Sequence, residues 1–502
     1  MANAPFDVLC AIFKLLPFSG RVTATHVSKY WRAASLSFPA ALWSQIVSKG
    51  RGGSETLGQL LGRCQEVPVD VEVLLWEETF VTAMGIISQH LSHIRRLHLY
   101  SRPLGEGEPR MHDIPFIYGA LAVPAPMLEE LDIGIAVNDA DPDEYDSDNS
   151  IEMDLLGEML EFDYRIPINL FAGHAPLLRK ATWLSMELHP DGIPALTGVT
   201  HFGFEGRLLS AAHLATIVTT LPSLTSFRIE VNDGYELPPR PPPTLSLEEL
   251  DLEVWSAPGS LDGRDIVPLL EYLSYQQVRR VTIRSRFSQW MELFIAPPRR
   301  LPKSLCFYYD VGSQSRLRIE DSNGYISRGR LFDTRDLFAA PLTHDVFATL
   351  ETLVAHISIL DEPKDVPSLP RLVRLLLCCR WQKDGHRIRE LGLFMIPPTQ
   401  KLTCPNLRSL EIRGPVMASE MPSLSVAEIE RFVDNLFSFP ADTRPHVTLH
   451  TIHVPFPRPE QFWGRPVVDA FTIREDPVEI AMPWERDDWY MFLCGRDLDL
   501  EV

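Results

Sequence analysis

Large apolar residues near the start of the chain recur at a helical interval. Leu9, Ile12, Phe13 and Leu16 stand at i, i+3, i+4 and i+7, the spacing that gathers side chains on one face of a helix. The run starts just after Pro5 and stops at Pro17; proline fixes φ and lacks an N–H, so it punctuates helices. One short amphipathic helix is predicted. After the turn "PFSG", Ala24, Val27, Trp31 and Ala34 continue at spacings of three and four, while Lys29 and Arg32 fall off that stripe. This predicts a second helix with a mixed small-and-aromatic face. Pro39 opens a third apolar piece in which Leu42, Trp43 and Ile46 cluster. Three such short helices carry more large apolar groups than a small interior encloses, and each buried one contributes about 1.5 to 3 kcal/mol. The module therefore needs a neighbour to cover the surplus.

Beyond Gly50 the pattern changes. "ETLGQLLGRC" precedes "VPVDVEVLL", and "FVTAMGIISQHLSHI" precedes "RRLHLYS"; helix-like pieces alternating with strand-like ones predict parallel strands joined by crossovers. A phrase then recurs as "APMLEELDIGI" (125–135), "APLLRKATWLSM" (175–186), "LPSLTSFRIEV" (221–231), "LSLEELDLEVW" (245–255), "LPRLVRLLLCC" (369–379) and "CPNLRSLEIRG" (404–414). Its general form is Pro-x-Leu-x-x-Leu-x-Leu. Residues before the strand fill an interior, and alternation within the strand points one face inward and the other outward. Within 125–255 and within 369–414 successive copies stand about 24 to 50 residues apart, longer and less regular than standard leucine-rich units, and no asparagine ladder recurs. The expectation is an irregular leucine-rich-repeat-like α/β solenoid with parallel strands over 51–459; a two-layer α/β domain that is not a solenoid is the alternative.

Two inserts and the C-terminal segment stand apart. Residues 138–154 hold eight carboxylates, and the D-x-D-x-D start resembles a calcium loop, yet Glu144 takes the place of the required Gly and Ser150 that of the final Glu. A solvated acidic loop is expected. Residues 237–245, "LPPRPPPTL", read as a stiff loop and offer Pro239 and Pro242 as a polyproline ligand. The segment 460–502 combines eleven acidic and four basic residues with Trp463, Trp484, Trp489, Tyr490 and Phe492, a composition suited to an acidic aromatic cap docked over the last repeat, with a free tail as the alternative.

Composition sharpens this outline. Apolar residues make up 45% and charged ones 23% of 502 residues, the balance of a folded protein. The 42 prolines fall mostly between apolar runs and punctuate many short elements. A formal charge of -20 argues against a nucleic-acid or anionic-membrane surface, which needs clustered Lys and Arg. The first 51 residues break the trend: Lys14, Arg21, Lys29, Arg32, Lys49 and Arg51 face Asp7 alone. A small basic module with surplus apolar surface suits a partner with an acidic groove. The seven cysteines form no C-x-x-C, which fits a reducing compartment. No signal peptide, membrane-spanning run or N-x-S/T sequon is evident, and a cytoplasmic or nuclear location is expected.

Catalytic and metal-binding signatures are sparse. There is no P-loop, G-x-S-x-G, H-E-x-x-H or complete G-x-G-x-x-G. His446, His450 and His453 lie between Pro445 and Pro455, where a strand would send His450 and His453 to opposite faces. His90 and His93, with His98 nearby, are joined by no carboxylate or Cys in the sequence, and Cys378 and Cys379 sit in an apolar run that suits buried thiols. No catalytic residue, metal ligand or cofactor is assigned.

The residues from about 4 to 47 carry a resemblance. Pro5 followed by "VLCAIFKLL", with Ile12 and Phe13, then Val27-x-Lys29-x-Trp31-Arg32, then Pro39 and Leu42-Trp43, resembles an F-box, the motif that docks onto the Skp-family adaptor of cullin-RING ubiquitin ligases. Ala4 stands where Leu commonly precedes the proline, Asp7 where Glu is common, and Ser28 where many members have Cys. The resemblance implies adaptor contacts drawn from Pro5, Leu9, Ile12, Phe13, Leu16, Val27, Trp31, Leu42 and Trp43. Pro5, Leu9, Ile12, Phe13 and Leu16 are expected to reach the partner, and Trp31 to pack chiefly between helices two and three. It also implies a fold of class α/β: a small all-α three-helix F-box at 1–50, then the solenoid, which holds a client protein for ubiquitylation, the transfer chemistry belonging to other subunits. The alternatives are an adaptor-bound scaffold without degradation and an α/β enzyme of unrecognised class.

Overall fold

A computed structural model describes residues 4–16, 18–37, 43–48, 53–64, 66–76, 79–101, 114–134, 165–184, 186–239, 245–254, 266–285, 302–309, 315–321, 323–331, 344–356, 368–378, 401–413, 426–438, 445–450 and 471–474. The chain divides into two compact units, Met1–Arg286 and Phe287–Val502. Leu42, the acidic insert at 138–154, most of the proline-rich stretch (240–244) and all of 460–502 except 471–474 lie outside the described residues.

The first unit opens with three helices, α1 (Phe6–Lys14), α2 (Phe18–Val27) and α3 (Lys29–Ser37). Their boundaries differ from the sequence reading. The second expected helix is two, broken at Ser28, whose Oγ accepts from the Trp31 N–H at 3.1 Å and so starts a new helix in the manner of an N-cap. The third apolar piece is not helical where it is described: Gln45–Ser48 form a strand, β1, and Ile46 is fully buried on it. A short apolar run fits either element; pairing with the next strand decides it here.

From β1 onward the unit is a parallel sheet built in chain order. The helix α4 (Gly53–Cys64) precedes β2 (Val69–Leu75), and α5 (Phe80–His90) precedes β3 (Ile94–Ser101). Next come α6 (Ile114–Ala120), β4 (Glu130–Gly134), β5 (Lys180–Leu184) and β6 (His201–Leu209). The helix α7 (Ala211–Thr220), β7 (Ser226–Tyr235), β8 (Glu249–Val254), α8 (Ile266–Tyr272) and β9 (Arg280–Ser285) complete it. Each strand pairs in parallel with the next, from β1–β2 to β8–β9. The expected α/β class with parallel strands is therefore present.

The register produces continuous rows. Ile46, Val71, Leu97, Leu131, Ala181, Phe202, Phe227, Leu250 and Val281 share one position across the sheet, and Val73, Leu99, Ile133, Trp183, Phe204, Ile229, Leu252 and Ile283 share the position two residues on. All are buried. Because strand side chains alternate, both rows lie on one face and form the core.

The recurring phrase has a definite local structure. Ala125, Ala175 and Leu221 each accept a hydrogen bond from the leucine three residues later, Leu128, Leu178 and Leu224, at 3.1 to 3.2 Å. The proline at the second position of each turn needs no donor there, and its fixed φ favours the turn. The buried leucine then leads into the strand. Just before the strands a second ladder runs from copy to copy: the Glu129 carbonyl accepts from the N–H groups of Arg179 and Lys180, that of Arg179 from Thr200 and His201, that of Thr200 from Thr225 and Ser226, and that of Thr225 from Glu248 and Glu249, at 2.7 to 3.1 Å.

The second unit departs from an all-parallel pattern. Strands β10 (Pro302–Tyr309), β11 (Ser315–Asp321) and β12 (Ile326–Leu331) form an antiparallel meander. The helix α9 (His344–Thr349) precedes β13 (Thr352–His356), which pairs in parallel with β10 and with β14 (Arg374–Cys378). The short β15 (Leu402–Thr403) leads to β16 (Ser409–Arg413), and α10 (Val426–Leu436) leads to the short β17 (Phe437–Ser438), which pairs with β15. Strands β18 (His446–His450) and β19 (Phe471–Arg474) extend the parallel series from β14 through β16. Leu372 and Leu407 donate to Leu369 and Cys404 in the same proline turn as in the first unit, at 3.2 Å.

Candidate interaction surfaces

The N-terminal helices offer the first surface. On α1, Leu9 and Phe13 are completely buried, with Cys10 beside them. Phe13 meets Trp31 of α3 with ring centroids 5.2 Å apart. The two stripes of α1 point in different directions: Leu9 and Phe13 face inward, whereas Val8, Ile12 and Leu15, also at i, i+4 and i+7, are exposed or half-buried. Leu15 is 86% exposed. The expectation that Leu9 and Phe13 reach outward is corrected by this packing, as is that for Trp43, which is 1% exposed. The Trp43 carbonyl accepts from the Cys64 thiol of α4, and the Arg63 guanidinium stands over its ring at 5.7 Å. Trp31 is half-buried and packs its ring against Phe13 of α1; most of the third apolar piece, 38–42, lies outside the described residues. Pro5 is exposed, Ile12 and Leu16 are half-buried, and Val27 is exposed. With Val8, Tyr30 and Leu36, also exposed, these residues leave apolar side chains uncovered on all three helices.

A second surface, which the sequence reading missed, is the other face of the first unit's sheet. Its rows are polar. One runs Asp70, Arg96, Glu130, Lys180, His201, Ser226, Glu249, Arg280; the next runs Glu72, His98, Asp132, Thr182, Gly203, Arg228, Asp251, Thr282. A third holds Tyr100 and Gly134 on β3 and β4, and Leu184, Glu205, Glu230, Glu253 and Arg284 on β5 to β9. Alternating signs across the first row pair Arg96 with the buried Glu130 at 3.5 Å and, at an exposed position, Arg280 with Glu249, a favourable cross-strand arrangement.

Toward the C-terminal ends of the strands the groups are more enclosed. Tyr100 donates to Asp132 at 2.8 Å, and His98 lies 3.2 Å from the same hydroxyl. Arg228 donates to Glu230 at 2.8 Å, while Arg284 reaches both oxygens of Asp251 at 2.9 and 3.0 Å and Glu253 at 3.2 Å. Burial works against the charge of Arg228, but Asp251, Glu230 and Glu205 outweigh it and hold its pKa up. Burial raises the carboxyl of Asp132, offset in part by the Tyr100 hydrogen bond and by His98. Burial and the neighbouring Glu230 push Glu205 up to about 7. Gly203 makes way for the Thr182 side chain in the middle row: a Cβ there would meet Thr182 Cγ2 at 2.9 Å.

The outward positions of "ELDIG", "FRIEV" and "LDLEV" already alternate with apolar ones, and that alternation was the available signal. Cross-strand register, which no single segment reveals, is what places Glu205, Glu230 and Glu253 side by side.

The remaining candidates are accounted for individually. His90 and His93 have ring centroids 5.2 Å apart, and burial lowers the pKa of both. His446 and His450 lie on β18 and Cys378 on β14; His453 and Cys379 are outside the described residues. Cys64 and Cys404 are buried thiols pushed up to about 12 by burial. Among the described residues no three His, Cys, Asp or Glu side chains are grouped to hold a metal ion, and no helix is long and apolar enough to cross a membrane. In comparisons with known proteins, no protein-family model matches the chain, and no curated protein matches it significantly.

Proposed function

We propose that the protein is the substrate-recognition subunit of a Skp-cullin-F-box type ubiquitin ligase. In this reading the N-terminal helices dock on a Skp-family adaptor, and the sheet that follows, a leucine-rich-repeat-like α/β solenoid, holds a client protein. The observation that carries it is the uncovered apolar surface of the N-terminal helices. Val8, Ile12 and Leu15 form an outer stripe on α1 while Leu9 and Phe13 form the inner one, so the helix is apolar on two sides although the chain covers only one. Val27 and Leu36 extend the exposed set, and Lys14 and Lys29 add positive charge beside it, which suits an apolar, acidic groove. Growth of the first unit's sheet in chain order, with the same proline turn before β4, β5 and β7, supports the repeat reading.

The test is co-purification of the full chain with a recombinant Skp-family adaptor. Wild type is expected to form a stable complex, and Val8→Asp combined with Leu15→Asp to abolish it with the thermal melt unchanged. Failure of wild type to bind, or undiminished capture by the double variant, overturns the reading.

A further inference from the structure

The turn that joins α5 to β3 encloses two titratable rings. His90 ends α5, and His93 ends the 3-10 turn Leu91–His93 that follows it; their ring centroids are 5.2 Å apart at an interplanar angle of 76°. His93 is 8% exposed, and its Nε2 is sealed from solvent without a hydrogen-bond partner among the described residues. Leu91 and Ile94 on either side are completely buried, so the ring stays enclosed while they stay packed. Ile94, Leu128 and Leu178 each stand three residues before the register row of Leu97, Leu131 and Ala181, which makes His93 the counterpart of Met127 and Leu177. Both of those are exposed. The turn before β3 thus buries a titratable ring where the next two copies place an apolar side chain in solvent.

We infer that this turn is an acid-opened hinge: a proton on either ring releases His93 and the end of α5 into solvent, while the parallel strands beyond it remain paired. The backbone is divided at the right place for such a motion. Val69 pairs with Ile94, but Asp70 pairs with Arg96, a register shift that sets Ile94 apart from the rest of the β2–β3 ladder. Pairing of β3 with β4 also starts at Arg96. A bulge of this kind bends the strand and interrupts its ladder, so the turn and Ile94 can open as one small unit without unzipping the sheet.

The groups that face the pair set the direction. Glu66, between α4 and β2, is the carboxylate that favours a protonated His93; it is exposed, where solvent and salt weaken its pull. Against it stand the burial of both rings and, for His93, repulsion by a protonated His90. Both rings therefore titrate below the ordinary histidine value in the closed form. The open turn takes up protons that the closed turn refuses, so the closed form is at full strength above about pH 6.5 and weakens as pH falls below it.

The experiment is hydrogen exchange of the full chain read by mass spectrometry at about pH 7.5 and about pH 5.5, with rates corrected for the intrinsic effect of pH. In wild type, the peptide spanning the end of α5 and the turn is expected to exchange severalfold faster at the lower pH, while peptides covering β7 and β8 keep their protection. His93→Phe, a ring of similar size that takes no proton, removes the acceleration, and His90→Gln, which removes one proton site and the repulsion, reduces it. His93→Phe decides the comparison where its melt at neutral pH matches wild type; otherwise His90→Gln decides it. Equal protection of the turn at both pH values, acceleration spread evenly over the first unit, or undiminished acceleration in the deciding variant overturns the inference.

Discussion

The hydroxyl of Tyr100 on β3 donates to Oδ2 of Asp132 on β4 at 2.8 Å, across a sheet face where Asp132 is almost fully buried. Tyr100 lies over Gly134, where a Cβ would come within 2.9 Å of its ring. Removing the hydroxyl with Tyr100→Phe leaves a buried carboxyl without its short donor and is expected to cost about 1 to 3 kcal/mol. The sign of the pH dependence follows from burial, which raises the folded-state pKa of Asp132: the group favours the folded state when protonated and opposes it as pH rises through that value. Loss of the donor raises the pKa further, so chemical denaturation should show a larger deficit for the variant at neutral pH than in acid.

His213 of α7 gives a second pH effect. Its Nε2 accepts from the Leu188 N–H at 3.1 Å, and its ring stands edge-on to Phe204 at 4.8 Å. Burial lowers its pKa to about 4, below the unfolded value, so the unfolded chain takes up the proton first as pH falls. Stability is expected to drop by up to about 3 kcal/mol between about pH 6.5 and about pH 4. His213→Gln should reduce that dependence in denaturant midpoints measured across the range.

Phe13 and Leu15 separate folding from docking. Phe13 is completely enclosed and Leu15 is 86% exposed. Truncation of Phe13 to Ala is expected to destabilise the first unit by about 3 to 5 kcal/mol. Leu15→Asp should shift stability by no more than about 0.5 kcal/mol while removing adaptor capture. Calorimetry and co-purification on the same samples compare the two effects.

Much of the fold was legible because its signals are local. The phrase beginning at Ala125 carries its own turn proline, its buried Leu128 and its alternating Leu131 and Ile133, and the matching positions of β5, β7 and β16 do likewise. The N-terminal helices were legible only in part. Leu9, Ile12, Phe13 and Leu16 satisfy a helical period, but that period does not reveal that Val8, Ile12 and Leu15 form a second stripe, or that Leu9 and Phe13 are the ones covered. Ile46 belongs to a short apolar run that reads equally as helix or strand, and its partner Val71 settles the matter. The polar rows escaped for the same reason, since the adjacency of Glu205, Glu230 and Glu253 depends on register.

Phe171 and Ala172 have φ of 53° and 50°, left-handed values that a Cβ makes unfavourable by about 1 to 2 kcal/mol per residue. Phe171 is buried and its N–H donates to the Leu121 carbonyl at 2.8 Å, so packing holds the turn in place. Ala172 is exposed. Ala172→Gly relieves its strain at a smaller entropic cost and is expected to raise stability by up to about 1 kcal/mol, seen as a higher melting temperature.

The carbonyl ladder through Glu129, Arg179, Thr200 and Thr225 joins each copy only to its successor, and no described strand of β1 to β9 must wait for a distant stretch of the same unit before it can pair. The first unit should therefore behave as a zipper. A break in the backbone between β4 and β5 would cut only one seam, and two separately expressed pieces, ending and starting there, could reassemble along the Asp132–Thr182 register.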